Sequence, residues 1–62
     1  MIEPIETFLN TEMNFEVRIF KIEGKNPFSV MLHDLDADMH LNVRLCPDLK
    51  TAQFWAMQTI KS

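Results

Sequence analysis

Three aspartates at alternate positions near the middle of the chain are the first residues whose chemistry needs an explanation. Asp34, Asp36 and Asp38 match the start of a calcium-binding loop, in which alternate oxygens converge on a hard cation. The match then fails, because Met39 replaces the turn glycine and Leu45 the bidentate glutamate. We therefore interpret the three carboxylates as part of a solvated turn.

Two histidines flank the same segment. His33 and His40, with Asp34 or Asp38 beside them, have the imidazole and carboxylate groups that suit zinc or nickel. One hairpin supplies only two histidine ligands, however, whereas a structural zinc needs four ligands. We expect surface histidines that titrate near neutrality, and we predict no metal and no cofactor.

Cys46 is the only cysteine, and it lies just before a predicted helix, whose dipole lowers the pKa of a nearby thiol. The sequence shows no third group to orient a Cys-His pair, so we interpret Cys46 as a small residue that closes a strand. Gly24 is the only glycine, which excludes a phosphate-binding loop and a dinucleotide fingerprint. The sequence therefore predicts a protein that is not an enzyme.

Length and composition predict one small domain over residues 1–62. A chain of this size buries only about 60% of its unfolded surface, and such chains are usually stabilised by disulfides, a metal or a partner. A lone cysteine allows no internal disulfide. The chain has no apolar stretch of ~20 residues and its start does not resemble a signal peptide, so we expect a cytoplasmic protein that does not bind membranes.

Apolar residues at every second position predict three strands. The alternating residues are Met13, Phe15, Val17 and Ile19, then Phe28, Val30 and Leu32, then Met39, Leu41, Val43 and Leu45. The first alternation changes phase at Phe20, so Phe20 and Ile22 either return to the core through a β-bulge or lie on the opposite face. Between the first two strands, Gly24 can adopt the positive φ of a tight turn.

Each end of the chain has the spacing of a helix. Near the N-terminus Pro4 suits a first helical position, and Ile5, Phe8 and Leu9 follow at i, i+3 and i+4, with Asn10 as a stop. In the C-terminal segment Asp48 is the predicted N-cap of a helix that runs to about Ile60. Its apolar stripe consists of Leu49, Ala52, Ala56 and Ile60, with Trp55 on the flank.

The predicted fold is therefore α+β: a short N-terminal helix, a three-stranded antiparallel β-meander and a C-terminal helix packed on one sheet face. Because paired residues share a face, a four-residue loop over positions 35–38 pairs Leu32 with Leu41 and Val30 with Val43. The same register places His33 opposite His40 on the outer face.

Apolar residues that this fold leaves outside the core indicate an interface. The interface candidates are Phe54, Met57, Phe20, Ile22, Met31, His33, His40 and Arg44. The N-terminal helix, or a bulge at Phe20, would cover part of this surplus. Otherwise the chain is expected to be a small protein-interaction or regulatory module, most simply a homodimer that also binds another protein.

The alternative is a module that stacks nucleic-acid bases on Phe20 and contacts them through Arg18, His33, His40 and Arg44. The net charge of −3 and the scattered basic residues make nucleic acid the less favoured partner.

Overall fold

The computed structural model describes residues 3–61, which form one antiparallel sheet covered on one face by a helix. The strands follow one another in the order β1-β2-β3-β4. Their bounds are Glu6–Asn10 for β1, Phe15–Lys21 for β2, Phe28–Asp34 for β3 and Met39–Cys46 for β4, and the helix α1 spans Leu49–Lys61. The α+β class and the C-terminal helix are as predicted, whereas the number of strands is not.

The predicted N-terminal helix is wrong, because its residues form the edge strand β1. Phe8 pairs with Val17 of β2 and packs against the core, while Leu9 points to the opposite face. A helix of this length is marginal on its own, since an isolated helix needs ~12–15 residues to persist in water. Pairing with β2 satisfies the same backbone groups and also buries part of the Phe8 side chain. A turn follows, in which Asn14 adopts a positive φ of 55°.

Strand β2 begins at Phe15 and keeps its alternation through Phe20. This decides whether Phe20 returns to the core through a bulge or lies on the opposite face. Val17 and Ile19 are fully buried beneath the helix, and Phe20 pairs with Ser29 on the other face without a register shift. Phe20 therefore lies on the face away from the helix. The turn that follows contains Gly24 at φ 124°, as predicted.

A β-bulge lies in β4. Leu32 pairs with Leu41 and His33 with His40, as predicted, but Val30 pairs with Arg44, and Val43 is the extra residue. The predicted Val30–Val43 pair is therefore wrong.

The extra residue reverses the alternation in the rest of β4. Arg44 lies on the helix side, and Leu45 lies opposite Ser29 on the outer face. The predicted alternation placed Leu45 on the same face as Leu41 and Val43, and that placement is also wrong.

The core lies between α1 and the middle of the sheet. Its fully buried apolar side chains among residues 3–61 are Val17, Ile19, Val30, Cys46, Ala52 and Ala56. The two alanines let the helix lie close to the strands, as their spacing predicts. Asp48 caps the helix, since its Oδ1 accepts a hydrogen bond from the Thr51 backbone N–H at 2.8 Å.

Polar contacts hold β1 to the helix. The Asn10 side-chain amide donates to the Ile60 carbonyl at 2.8 Å, and the Gln53 amide donates to the Glu6 carboxylate. These contacts connect the first strand and the last element across the core. The helix does not cover the far end of the β3–β4 hairpin. Met39 and Leu41 are therefore exposed there, although Leu41 lies on the helix side.

Candidate functional site

The face of the sheet opposite the helix, called here the outer face, is not covered by any element of residues 3–61. At one end of it Phe20, Ile22 and Met31 surround Ser29 and line an apolar depression of about 210 Å³. Leu45 stands opposite Ser29 at the edge and is 46% exposed. We call these four apolar residues, Phe20, Ile22, Met31 and Leu45, the outer patch.

The two histidines occupy the other end of the outer face. They pair across β3 and β4, and their rings stack with centroids 4.0 Å apart and planes 13° apart. His33 Nε2 lies 2.8 Å from Asp38 Oδ1, and His33 Nδ1 lies 3.2 Å from Glu16 Oε1. Each ring nitrogen of His33 thus faces a carboxylate oxygen.

This arrangement favours a charged His33. Hydrogen bonds that the His33 ring donates to Asp38, and then to Glu16, raise the pKa of His33, although partial burial opposes them. The hydrogen bond with His33 lowers the pKa of Asp38 in turn. Glu16 also pairs with Arg18 beside it. The polar end of the outer face is therefore a closed set of opposite charges that balance one another.

The three aspartates at the end of β3 and in the loop that follows have three different partners. Asp34 Oδ1 accepts from the backbone N–H groups of Asp36 and Ala37, which shapes the turn. Asp36 accepts from the Asn14 side chain at 2.6 Å, and Asp38, at φ 52°, faces His33. The aspartate oxygens thus stabilise the β3–β4 loop, the loop that contains Asn14, and the ring of His33. These contacts agree with the interpretation of the three carboxylates as part of a turn.

The remaining predicted interface residues lie elsewhere on the molecule. The bulge places the Arg44 guanidinium 3.9 Å from the centroid of the Trp55 ring on the helix side. The expectation that Arg44 belongs to the outer face is therefore wrong. Phe54 and Met57 lie on the exposed side of α1, where Phe54 contacts the edge of Trp55.

Cys46 is buried at the end of β4, and burial raises the pKa of its thiol. A protonated, enclosed thiol does not act as a nucleophile, which agrees with a strand-closing role.

Sequence reasoning missed Glu16, Leu9 and Leu45 as members of the outer face. Glu16 was predictable in principle, because the turn before β3 fixes which residue of β2 stands opposite His33. Leu9 was assigned to a helix. No pattern in the sequence predicts the bulge that places Leu45 on the outer face.

Comparisons with protein-family models, with curated proteins and with solved structures find no match to this chain. Within residues 3–61 no helix has the length and apolar character that crossing a membrane requires. The function must therefore be argued from the geometry.

Proposed function

We propose that this chain is a small, non-enzymatic protein-interaction module that forms a homodimer through its outer face. The observation that carries the proposal is the outer patch, because three of its apolar side chains line a depression on the sheet face that α1 leaves open, and Leu45 stands beside them at the edge. Patches that combine aromatic, methionine and branched apolar side chains are typical of the centre of protein interfaces.

The balance of charges supports a second copy as the occupant. Glu16 pairs with Arg18 and His33, and Asp38 pairs with His33, so the four charges cancel within each chain when His33 is protonated. Two such faces can approach each other without opposing unpaired charges, although each chain carries a net charge of −3. Sheets that pack face to face lie about 10 Å apart and interdigitate their side chains.

The edges of the sheet are less suited to association than its face. β1 is a five-residue strand. β4 carries a bulge and several polar side chains, and both features hinder pairing of edge to edge.

The size of the face sets the expected strength. Four strands about 4.8 Å apart and roughly 20 Å long present on the order of 400 Å² in projection. Two such faces amount to about 800 Å² in total, which is below the ~1,200 Å² that stable specific interfaces usually bury and falls in the range of weak, transient ones. We therefore expect a reversible dimer with a dissociation constant in the micromolar range.

Sedimentation velocity over a range of micromolar concentrations tests the proposal. The native chain should shift from monomer to dimer as its concentration rises. Leu45→Asp adds a charge at an exposed position of the outer patch, so it should leave the fold intact and the chain monomeric. Phe54→Asp is the matched control, since Phe54 is also exposed but lies on the helix.

A native chain that stays monomeric at every concentration would contradict the homodimer. Loss of the dimer in Phe54→Asp but not in Leu45→Asp would move the interface to the helix. Circular dichroism of both variants confirms that they are folded.

The nucleic-acid alternative receives less support from the geometry. The outer face is open, as base stacking requires, but Arg44 is absent from it and Arg18 is paired with Glu16. Retention of the native chain on single-stranded RNA at about 50 mM salt, lost at higher salt, would favour this alternative over the dimer.

A further inference from the structure

We infer that His33, His40 and Asp38 form a binding site for a divalent transition ion of the zinc class. One nitrogen of each histidine and one oxygen of Asp38 all lie within 4.8 Å of one another. Two imidazole nitrogens and one carboxylate oxygen are ligands that zinc accepts, and they leave a fourth position open to solvent. This inference does not depend on the proposed dimer.

The carboxylate of Glu16 prepares His33 for this role. When an ion displaces the proton from His33 Nε2, the other nitrogen, Nδ1, keeps its proton and donates a hydrogen bond to Glu16 Oε1, 3.2 Å away. A histidine ligand whose second nitrogen donates to a carboxylate is the usual arrangement around bound zinc, because it fixes the tautomer and the ring orientation. Glu16 is mostly buried and belongs to a neighbouring strand, so it holds this orientation in place.

The distances require only side-chain movement. Two ligand atoms at about 2.1 Å from a tetrahedral ion are roughly 3.4 Å apart. His33 Nε2 and Asp38 Oδ1, now 2.8 Å apart, must separate slightly, while His40 must rotate toward them. Both side chains have room to move, because the Asp38 side chain is 84% exposed and His40 is an exposed residue of the edge strand β4.

The backbone already brings the ligands together. The ladder pair places the two histidines side by side, and the four-residue loop returns Asp38 to the ring of His33. Three ligands from one short hairpin are therefore positioned before any ion binds, which lowers the ordering cost of binding.

Isothermal titration of the native chain with zinc chloride, with magnesium chloride as the comparison salt, tests the site. We expect one zinc per chain and no magnesium binding. His40→Gln and Asp38→Asn should each weaken zinc binding at least tenfold. Asparagine tolerates the positive φ at position 38, so Asp38→Asn should fold normally.

Two further variants separate the site from general charge effects. Asp36→Asn removes the same charge from the same loop, but its side chain faces Asn14, so zinc binding should not change. Glu16→Gln should weaken binding by about 10–100-fold while leaving the stoichiometry at one, as loss of a supporting carboxylate does elsewhere.

Equal weakening by Asp36→Asn and Asp38→Asn would overturn the site, and so would the absence of zinc binding at 100 µM. A ratio of one zinc to two chains would also overturn a site built within one chain. Leu45→Asp should bind zinc as the native chain does, which distinguishes failure of this site from failure of the dimer.

Discussion

Replacing Ile19 and Leu41 in turn by alanine tests how much of the helix side of the sheet is true core. Both substitutions remove three carbons from residues that face the helix side. Ile19 is 0% exposed and Leu41 is 53% exposed, because α1 covers the middle of the sheet and not the end of the β3–β4 hairpin. The two variants therefore isolate the effect of burial.

The expected losses follow from the exposed fractions. Three carbons at about 0.8 kcal/mol each give a transfer loss of roughly 2.4 kcal/mol for Ile19→Ala. The cavity left behind brings the total into the range of about 2–5 kcal/mol. A chain of this length has a total stability of roughly 3–9 kcal/mol, so Ile19→Ala should lose a large share of it. Leu41→Ala should lose about 1 kcal/mol, since half of its side chain already meets water.

Urea unfolding followed by far-UV circular dichroism measures both losses, and it should be repeated at two protein concentrations. The slope with urea should stay the same in both variants, so that the midpoints report stability. Equal losses for Ile19→Ala and Leu41→Ala would refute the assignment of the hairpin end as uncovered surface.

The other predictions concern the helix cap, the cysteine and the arginine on the helix side. The hydrogen bond from Thr51 lowers the pKa of Asp48, so its charge stabilises the fold above about pH 4 and ceases to do so as the pH falls through the lowered pKa. The difference in Tm between the native chain and Asp48→Asn should therefore be present at pH 7 and shrink progressively as the pH is lowered below about 4. Cys46 should react with Ellman's reagent about a hundredfold more slowly in the native chain than in urea, and equal rates would show that the thiol is accessible. Arg44→Gln should cost about 0.5–1 kcal/mol in urea unfolding through loss of its contact with Trp55, and Arg44→Lys should cost less.

The sequence predicted those parts of the fold that depend on local spacing. Asp48 was identified as a cap because its residue type and position satisfy free helical N–H groups, and the contact with Thr51 confirms it. The pairing of His33 with His40 followed from parity and loop length, and the structure has the same pair. Both predictions rest on short-range geometry that few other contacts can override.

The incorrect predictions all depend on contacts between distant residues. Phe8 and Leu9 have helical spacing, but pairing with β2 decides their conformation, and no local signal reports that pairing. The bulge at Val43 likewise arises where β4 fits beside β3, and it reverses the faces of Arg44 and Leu45. One of the two alternatives predicted for Phe20, a position on the outer face, was therefore correct. The predicted position of Arg44 on the same face was wrong.

The most direct test of the proposed homodimer is an intermolecular NOE experiment on an equal mixture of unlabelled chains and chains with ¹³C-labelled methionine methyl groups. Met31 lies in the outer patch and Met57 on the exposed side of α1, so the two methyl groups report on the two candidate surfaces. We expect intermolecular NOEs from Met31 to aromatic or methyl protons of the unlabelled copy, and none from Met57. Intermolecular NOEs from Met57 alone, or none from either residue at millimolar concentration, would contradict the account.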